Sequence, residues 1–299
     1  MQQLSLSQLE QFSRDGFLLI RAVLDSSDCA KFDAEVLQPA LQSYGGVHQR
    51  DPSTWTNSKS MSMATGEYDQ TSQGPIPGAM IRKGEPGSWE DPIPDEKCLD
   101  MTPLHPILNQ LHGDSTSWRW IHSNLGWIHV RFPLQQHCKH EKQWHIDGGH
   151  FSPHFMNSTE QSVIILPMIR PIGKGGGNTC VLAKSHVYIT HLLHASGEHG
   201  ISKDITQDCR NLAKVWPEEH IIEVEPCAAG DVLLLHPFVV HAAGFTQSNH
   251  PLRITFNMGT QWTRPVLRHG DSSWLERFIW DALQESPVEV NAPHPFALF

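Results

Sequence analysis

The sequence predicts a mainly β protein with flanking helices, a sandwich or jelly-roll barrel, on three observations. Seven short apolar or alternating runs follow one another between residues 118 and 262. Turn residues separate them at the spacing of antiparallel strands. Helical periodicity is confined to the first forty or so residues, a short stretch after Pro103 and the tail beyond Ser272.

Taken in order, Ser7 is placed to cap a helix over SQLEQFSRDG, with Leu9 and Phe12 on one face and Gly16 at its end. FLLIRAVL, residues 17–24, reads as a buried strand. Asp25 or Ser26 starts a second helix with Phe32, Val36 and Leu37 at helical spacing. Residues 45–100 are rich in Gly and Pro and show little periodicity, yet carry Trp55, Met61, Met63, Tyr68 and Trp89. A stretch of this length without regular elements is expected to be a partly ordered lid or substrate-specificity segment. Residues 102–112 read as a short helix. The strand runs are WIHVRF, QWHID, SVIILPMI, NTCVLAK, HIIEVEP, DVLLLHPFVV and LRITFNMGTQW, and residues 272–283 close the chain with a helix.

Size favours one domain over residues 1–299, since β-rich domains with a large pocket reach this length. A hydrophobic content of 39% and a mean hydropathy of −0.35 describe a protein with ample core material. No run nears the roughly 18–20 apolar residues needed to span a bilayer. The first residues lack a secretory signal, and six scattered cysteines without a CxxC pair fit a reducing compartment, so a cytoplasmic protein is expected. A net charge of −10, with no basic run, argues against nucleic-acid and membrane-surface partners.

Twenty histidines are the compositional oddity, and position has to select among them. Three His-x-Asp tripeptides occur, at His112/Asp114, His145/Asp147 and His269/Asp271. The first closes a helix, and the last lies in a turn with little chain left to supply a third ligand. His145-Ile146-Asp147 alone follows a strand pattern, in which side chains two apart share a face and can meet at one metal ion. GDVLLLHPFVVHAAG then offers His236 or His241 as the third donor. His241 stands beside Ala242, Ala243 and Gly244, which leave room, whereas His236 precedes a proline and reads as structural.

Two histidines and one carboxylate leave open positions on an octahedral ion, which favours Fe(II) oxygen chemistry over a closed zinc site. The open face suits a bidentate keto acid and O₂. Arg253 lies twelve residues past His241, and a hairpin of that length is expected to return it beside the metal strand. Its planar fork can take a carboxylate in two bonds, with Thr255 on the same face. Arg131 and His129 alternate on WIHVRF and can face the pocket, Arg131 as a contact for co-substrate or substrate. Thr179 is a further candidate for the co-substrate. Trp144, His150 and His154, near the metal motif, are weaker candidates for substrate contact.

These segments resemble the phytanoyl-CoA dioxygenase family of iron(II)- and 2-oxoglutarate-dependent oxygenases. LSLSQLEQFSRDGFLLIRAVLDSSDC resembles that family's opening helix and strand, and QWHIDGGHF its metal motif. GGGNTCVLAKSH resembles its Asn-Gly-Gly…Gly-Ser-His turn, and GDVLLLHPFVVHAAG…RIT its distal segment. The resemblance implies a double-stranded β-helix, or jelly roll, that uses Fe(II), 2-oxoglutarate and O₂. It implies oxidative decarboxylation of 2-oxoglutarate to succinate, coupled to oxidation of a C–H bond in a small-molecule substrate. Two features depart from the family: Ala183-Lys184 stands where Pro-Gly is common, and residues 45–100 match no family motif. Nothing points to coenzyme A. The alternatives are a cupin-like binding protein, which has no need of Arg253, and an oxygenase acting on a protein side chain. Halogenation would require Asp147 to be replaced by a small residue.

Overall fold

The computed structural model describes residues 3–45, 48–54, 78–81, 99–121, 127–131, 133, 144–148, 153–201, 205–247, 249–266 and 273–290. Helix α1, Leu6–Asp15, is capped by Ser5 rather than Ser7, because Ser5 and Gln8 close a capping box. Gly16, at φ 78°, ends it, and a Cβ there would stand 2.5 Å from His186 Nδ1. Strand β1 is shorter than expected, Phe17–Ile20. Ala22 turns to φ 51°, and the Val23 and Leu24 N–H groups both bond the Gly230 carbonyl.

Asp25 caps α2, Ser26–Phe32, which passes through a π-helical turn, Asp33–Leu37, into α3, Gln38–Gly45. The expected lid lies largely outside the described residues, as do Trp55, Met61, Met63, Tyr68 and Trp89. Two parts of it are regular: a helical turn at Pro52–Thr54, and strand β2, Gly78–Ile81. The chain continues through α4, His105–His112, then β3, Trp118–Trp120, β4, Trp127–Arg131, β5, Ile164–Pro167, and β6, Thr179–Leu182. Helices α5, Ser185–Ala195, and α6, Thr206–Val215, follow. Strands β7, Ile221–Glu223, β8, Val232–Leu235, β9, His241–Ala243, and β10, Arg253–Trp262, lead to α7, Trp274–Asp281.

The strands form two antiparallel sheets. The major sheet runs β1-β8-β5-β10-β4-β2, with β3 also on β10, and the minor sheet runs β7-β6-β9. Strand β10 is long enough to serve three partners in turn, β4 through Arg253–Asn257, β5 at Met258–Gly259 and β3 at Thr260–Trp262.

Alternation sorts the side chains of the major sheet. Ile165, Val232, Leu234, Ile254 and Phe256 belong to the large core formed with the helices, where Phe256 meets Phe32 edge to face. Ile164, Leu166, Leu233 and Leu235 share a second core with Val181 and Val224 of the minor sheet and its flank. Both faces of β5 and β8 are therefore buried, which is why they read as unbroken apolar runs. On β10 the residues facing away from the helices are Arg253, Thr255 and Asn257, the first two paired in register with Arg131 and His129 of β4. The layer between the sheets is thus apolar at one end and polar at the other.

Candidate active site

The polar end of this layer gathers the metal-ligand candidates. His145 and His241 are directly opposed residues of an antiparallel bridge and exchange both backbone hydrogen bonds, at 3.0 and 2.9 Å. Opposed residues point to the same face, and the two rings stand 4.5 Å apart between centroids. Asp147 Oδ1 lies 3.4 Å from His145 Nε2 and 3.8 Å from His241 Nε2. Among the described residues these three form the one group of His, Cys, Asp or Glu side chains able to hold a metal ion, with donor atoms within 4.8 Å of one another. Donors on one ion with bonds near 2.1 Å stand about 3–4 Å apart.

The local structure differs from the expected one in three ways. Among the described residues of QWHID only His145 pairs, and Asp147 sits in the turn that follows, so the carboxylate is delivered by a turn. His241 begins a strand of its own, β9, separate from β8 at the start of the DVLLLHPFVV run. Ala242 packs in the core, and Gly244 is small because a Cβ would stand 2.3 Å from the Asn178 carbonyl.

His241 and Asp147 are set up for an ion. His241 Nδ1 donates to the Val239 carbonyl at 3.1 Å, which leaves the Nε2 lone pair facing Asp147. Burial, with the neighbouring His145, lowers the His241 pKa to about 4, so the ring is neutral at pH 7. Burial would raise the Asp147 pKa, but the His145 hydrogen bond, the charges of His241 and His145 and the Asn257 amide together hold it well below the carboxylate range. Asn257 Nδ2 donates to Asp147 Oδ2 at 2.8 Å, which ties down one oxygen and leaves Oδ1 with the imidazoles. Sequence reasoning missed Asn257; the signal was Arg-x-Thr-x-Asn, three polar residues at strand period with apolar Ile254 and Phe256 between them.

Arg253 reaches the site by another route than the expected hairpin. Strand β10 pairs with β4 and β5, not with β9, so residues 244–252 carry the chain from one sheet to the other. The Arg253 side chain then crosses the layer back to the minor sheet, where its guanidinium donates to Thr179 Oγ1 at 3.3 Å. Gly177 makes room for it, since a Cβ there would stand 3.0 Å from Arg253 Cδ. Arg253, Thr255 and Thr179 are all buried. Burial, then the positive charge of Arg131, lowers the Arg253 pKa to about 10, which leaves it protonated at neutral pH. The Nε atoms of Arg131 and Arg253 and His129 Nε2 are buried without a hydrogen-bond partner among the described residues, and unsatisfied buried donors of this kind call for a polar ligand. Burial, then Arg131, lowers the His129 pKa to about 3.

The other histidines separate as follows. His112 is fully buried, bonded to the Leu108 carbonyl and to Ser162 Oγ, both at 2.8 Å, so its loss costs stability. His236 is fully buried beside His186, with ring centroids 4.8 Å apart. His154 and Trp144 are buried. His150, His269 and Asp271 lie outside the described residues.

The family model for phytanoyl-CoA dioxygenase (PhyH) matches residues 12–254, from α1 to the start of β10. The chain belongs to the phytanoyl-CoA dioxygenase family. It is therefore a non-haem iron- and 2-oxoglutarate-dependent oxygenase with the jelly-roll fold of that class. Solved structures with this fold include the non-haem α-ketoglutarate-dependent carbocyclase SnoK, 15% identical over 98% of this chain and 95% of that one, TM-score 0.53. EvdO2 from Micromonospora carbonacea var. aurantiaca is 14% identical over 90% and 96%, TM-score 0.53. AviO1 from Streptomyces viridochromogenes Tue57 is 14% identical over 90% and 100%, TM-score 0.52. No curated protein matches the sequence. Among the described residues no helix is long and apolar enough to cross a membrane.

Proposed function

We propose that this phytanoyl-CoA dioxygenase family member hydroxylates a small-molecule substrate in the cytoplasm, holding Fe(II) on His145, Asp147 and His241. 2-Oxoglutarate and O₂ are consumed with the substrate, and hydroxylated product, succinate and CO₂ are released. The observation that carries this reading is the pairing of two features in one layer: a triangle of two imidazoles and one carboxylate, and a buried guanidinium that has no acidic partner among the described residues. A metal-binding protein that made no use of a keto acid would have no need of Arg253.

When bound, Fe(II) supplies the redox chemistry, and the residues around it supply position and charge. Arg253 holds the distal carboxylate of 2-oxoglutarate through its fork, with Thr255 and Thr179 as hydroxyl partners. Asn257 fixes the Asp147 carboxylate through one oxygen, so that three protein atoms hold the ion and the remaining positions stay free for keto acid and O₂. Ile146, Val239 and Val240, next to the ligands in sequence, are buried in the two cores and anchor the ligand segments. Four described cysteines, Cys29, Cys180, Cys209 and Cys227, are free thiols, which favours a reducing compartment. SnoK is named a carbocyclase, so ring closure is the outcome to separate from hydroxylation once a substrate is known.

Single replacements test the assignment. His145→Ala, Asp147→Ala and His241→Ala should each abolish succinate production and iron retention. Arg253→Leu should keep iron while its apparent 2-oxoglutarate constant rises about 10–100-fold. Full succinate production in Asp147→Ala, or an unchanged 2-oxoglutarate dependence in Arg253→Leu, would remove the assignment.

A further inference from the structure

We propose that Arg131 is the docking point for an anionic oxygen group, a carboxylate or phosphate, on the substrate that this enzyme oxidises. The inference rests on the functional reading above and adds the substrate's chemical class.

Three observations carry it. The first is charge. Arg131 and Arg253 are both buried, at 7% and 5% exposure, and among the described residues neither makes an ion pair with a carboxylate. A metal dication, the Asp147 carboxylate, the two carboxylates of 2-oxoglutarate and the Arg253 guanidinium cancel one another. Arg131 is then left as one buried positive charge that the co-substrate does not neutralise. An uncompensated charge out of water is costly, and a site built this way is completed by an anion.

The second observation is position. Arg131 lies on β4 between two strands, in register with Arg253 on β10 and with Gly78 on β2. On one side stands the co-substrate anchor, whose like charge disfavours a second guanidinium until anions arrive. On the other side stands Gly78 of β2, so Arg131 is separated from the edge of the sheet by one strand only. The third is the unsatisfied Nε of Arg131, a buried donor with no partner among the described residues. A guanidinium that offers Nε and a terminal nitrogen together presents the two-pronged edge that carboxylates and phosphates fit.

The test uses full-length protein kept anaerobic, loaded with Fe(II) and saturated with 2-oxoglutarate so that Arg253 is occupied. Benzoate, phenyl phosphate and neutral benzamide are titrated in, followed by calorimetry and by the visible charge-transfer band of the iron–keto acid complex. One equivalent of benzoate or phenyl phosphate should bind, with benzamide at least about ten-fold weaker. The tighter of the two anions names the group. Arg131→Gln should weaken that anion by about ten-fold or more and leave the 2-oxoglutarate dissociation constant within about three-fold, while Arg131→Lys, which keeps the charge, should retain part of the binding. Absence of saturable anion binding to the wild-type complex would overturn the proposal. So would a ten-fold or greater loss of 2-oxoglutarate affinity in Arg131→Gln, which would make Arg131 a second arm for the co-substrate. Failure of the functional reading looks different: wild-type protein would then show no charge-transfer band before any anion is added.

Discussion

Asp147 is held by Asn257 through one oxygen at 2.8 Å, and that single bond decides which oxygen faces the histidines. Hydrogen bonds to a metal-ligating carboxylate set its orientation, and losing one typically weakens metal affinity about 10–100-fold. Asn257→Leu should therefore lower Fe(II) affinity by that factor, measured by competition with a chromophoric chelator, with far-ultraviolet circular dichroism unchanged. An unaltered affinity would show that the turn alone orients Asp147. The grouping of His145, Asp147 and His241 was legible in the sequence because a His-x-Asp in extended chain and a distal histidine beside small residues form a restrictive pattern. Asn257 was not, since an amide on a strand is common and its partner lies 110 positions away.

Among the elements, the turn from β6 into α5 holds a non-glycine residue in a conformation that favours glycine. Lys184 occupies the left-handed region at φ 68°, where family members commonly carry glycine, and its N–H still bonds the Asp15 carbonyl at 3.1 Å. A side chain held there costs about 1–2 kcal/mol. Lys184→Gly should recover about 1 kcal/mol of this and raise Tm by about 2–4 °C, read by calorimetry; a lower Tm would mean that the lysine makes a compensating contact. Most of the strands were legible from alternation and apolar runs. The helices α5 and α6 were not. Helix α5 buries Val187, Ile189, Thr190 and Leu193 around much of its circumference, which erases the one-sided stripe, and α6 buries only Cys209 and Leu212. The return of β10 to the major sheet was also hidden, because strand spacing says nothing about which sheet receives the next strand.

For the whole molecule, the two-sheet architecture was legible in the run of short strands, while the split of the intersheet layer into apolar and polar halves depended on register. Stability should carry the signature of buried neutral histidines outside the metal site. Burial lowers the pKa of His112 and His186 to about 4 and that of His236 well below 6.5. Such groups bind a proton in the unfolded chain before they do so in the folded one, so their contribution is complete above pH 6.5 and falls as pH drops towards 4. For His112 and His186 the loss approaches about 3 kcal/mol each by pH 4. Urea midpoints should hold steady from pH 8 to 7 and then decline towards pH 5, above the range in which most carboxylates titrate. A flat profile would show that these rings take up protons without opening the core.

The proposed activity requires one site to hold both a metal ion and a keto acid. Wild-type protein, kept free of oxygen, is titrated with Fe(II) and then with 2-oxoglutarate while its visible spectrum is recorded. Coordination of the keto acid to iron on His145, Asp147 and His241, steadied by Arg253, should produce a weak charge-transfer band that neither component gives alone. The band should saturate at one equivalent of each, vanish in Asp147→Ala, and require far more 2-oxoglutarate in Arg253→Leu. Tight iron binding without any such band would contradict the central claim and leave a metal-binding protein that does not use 2-oxoglutarate.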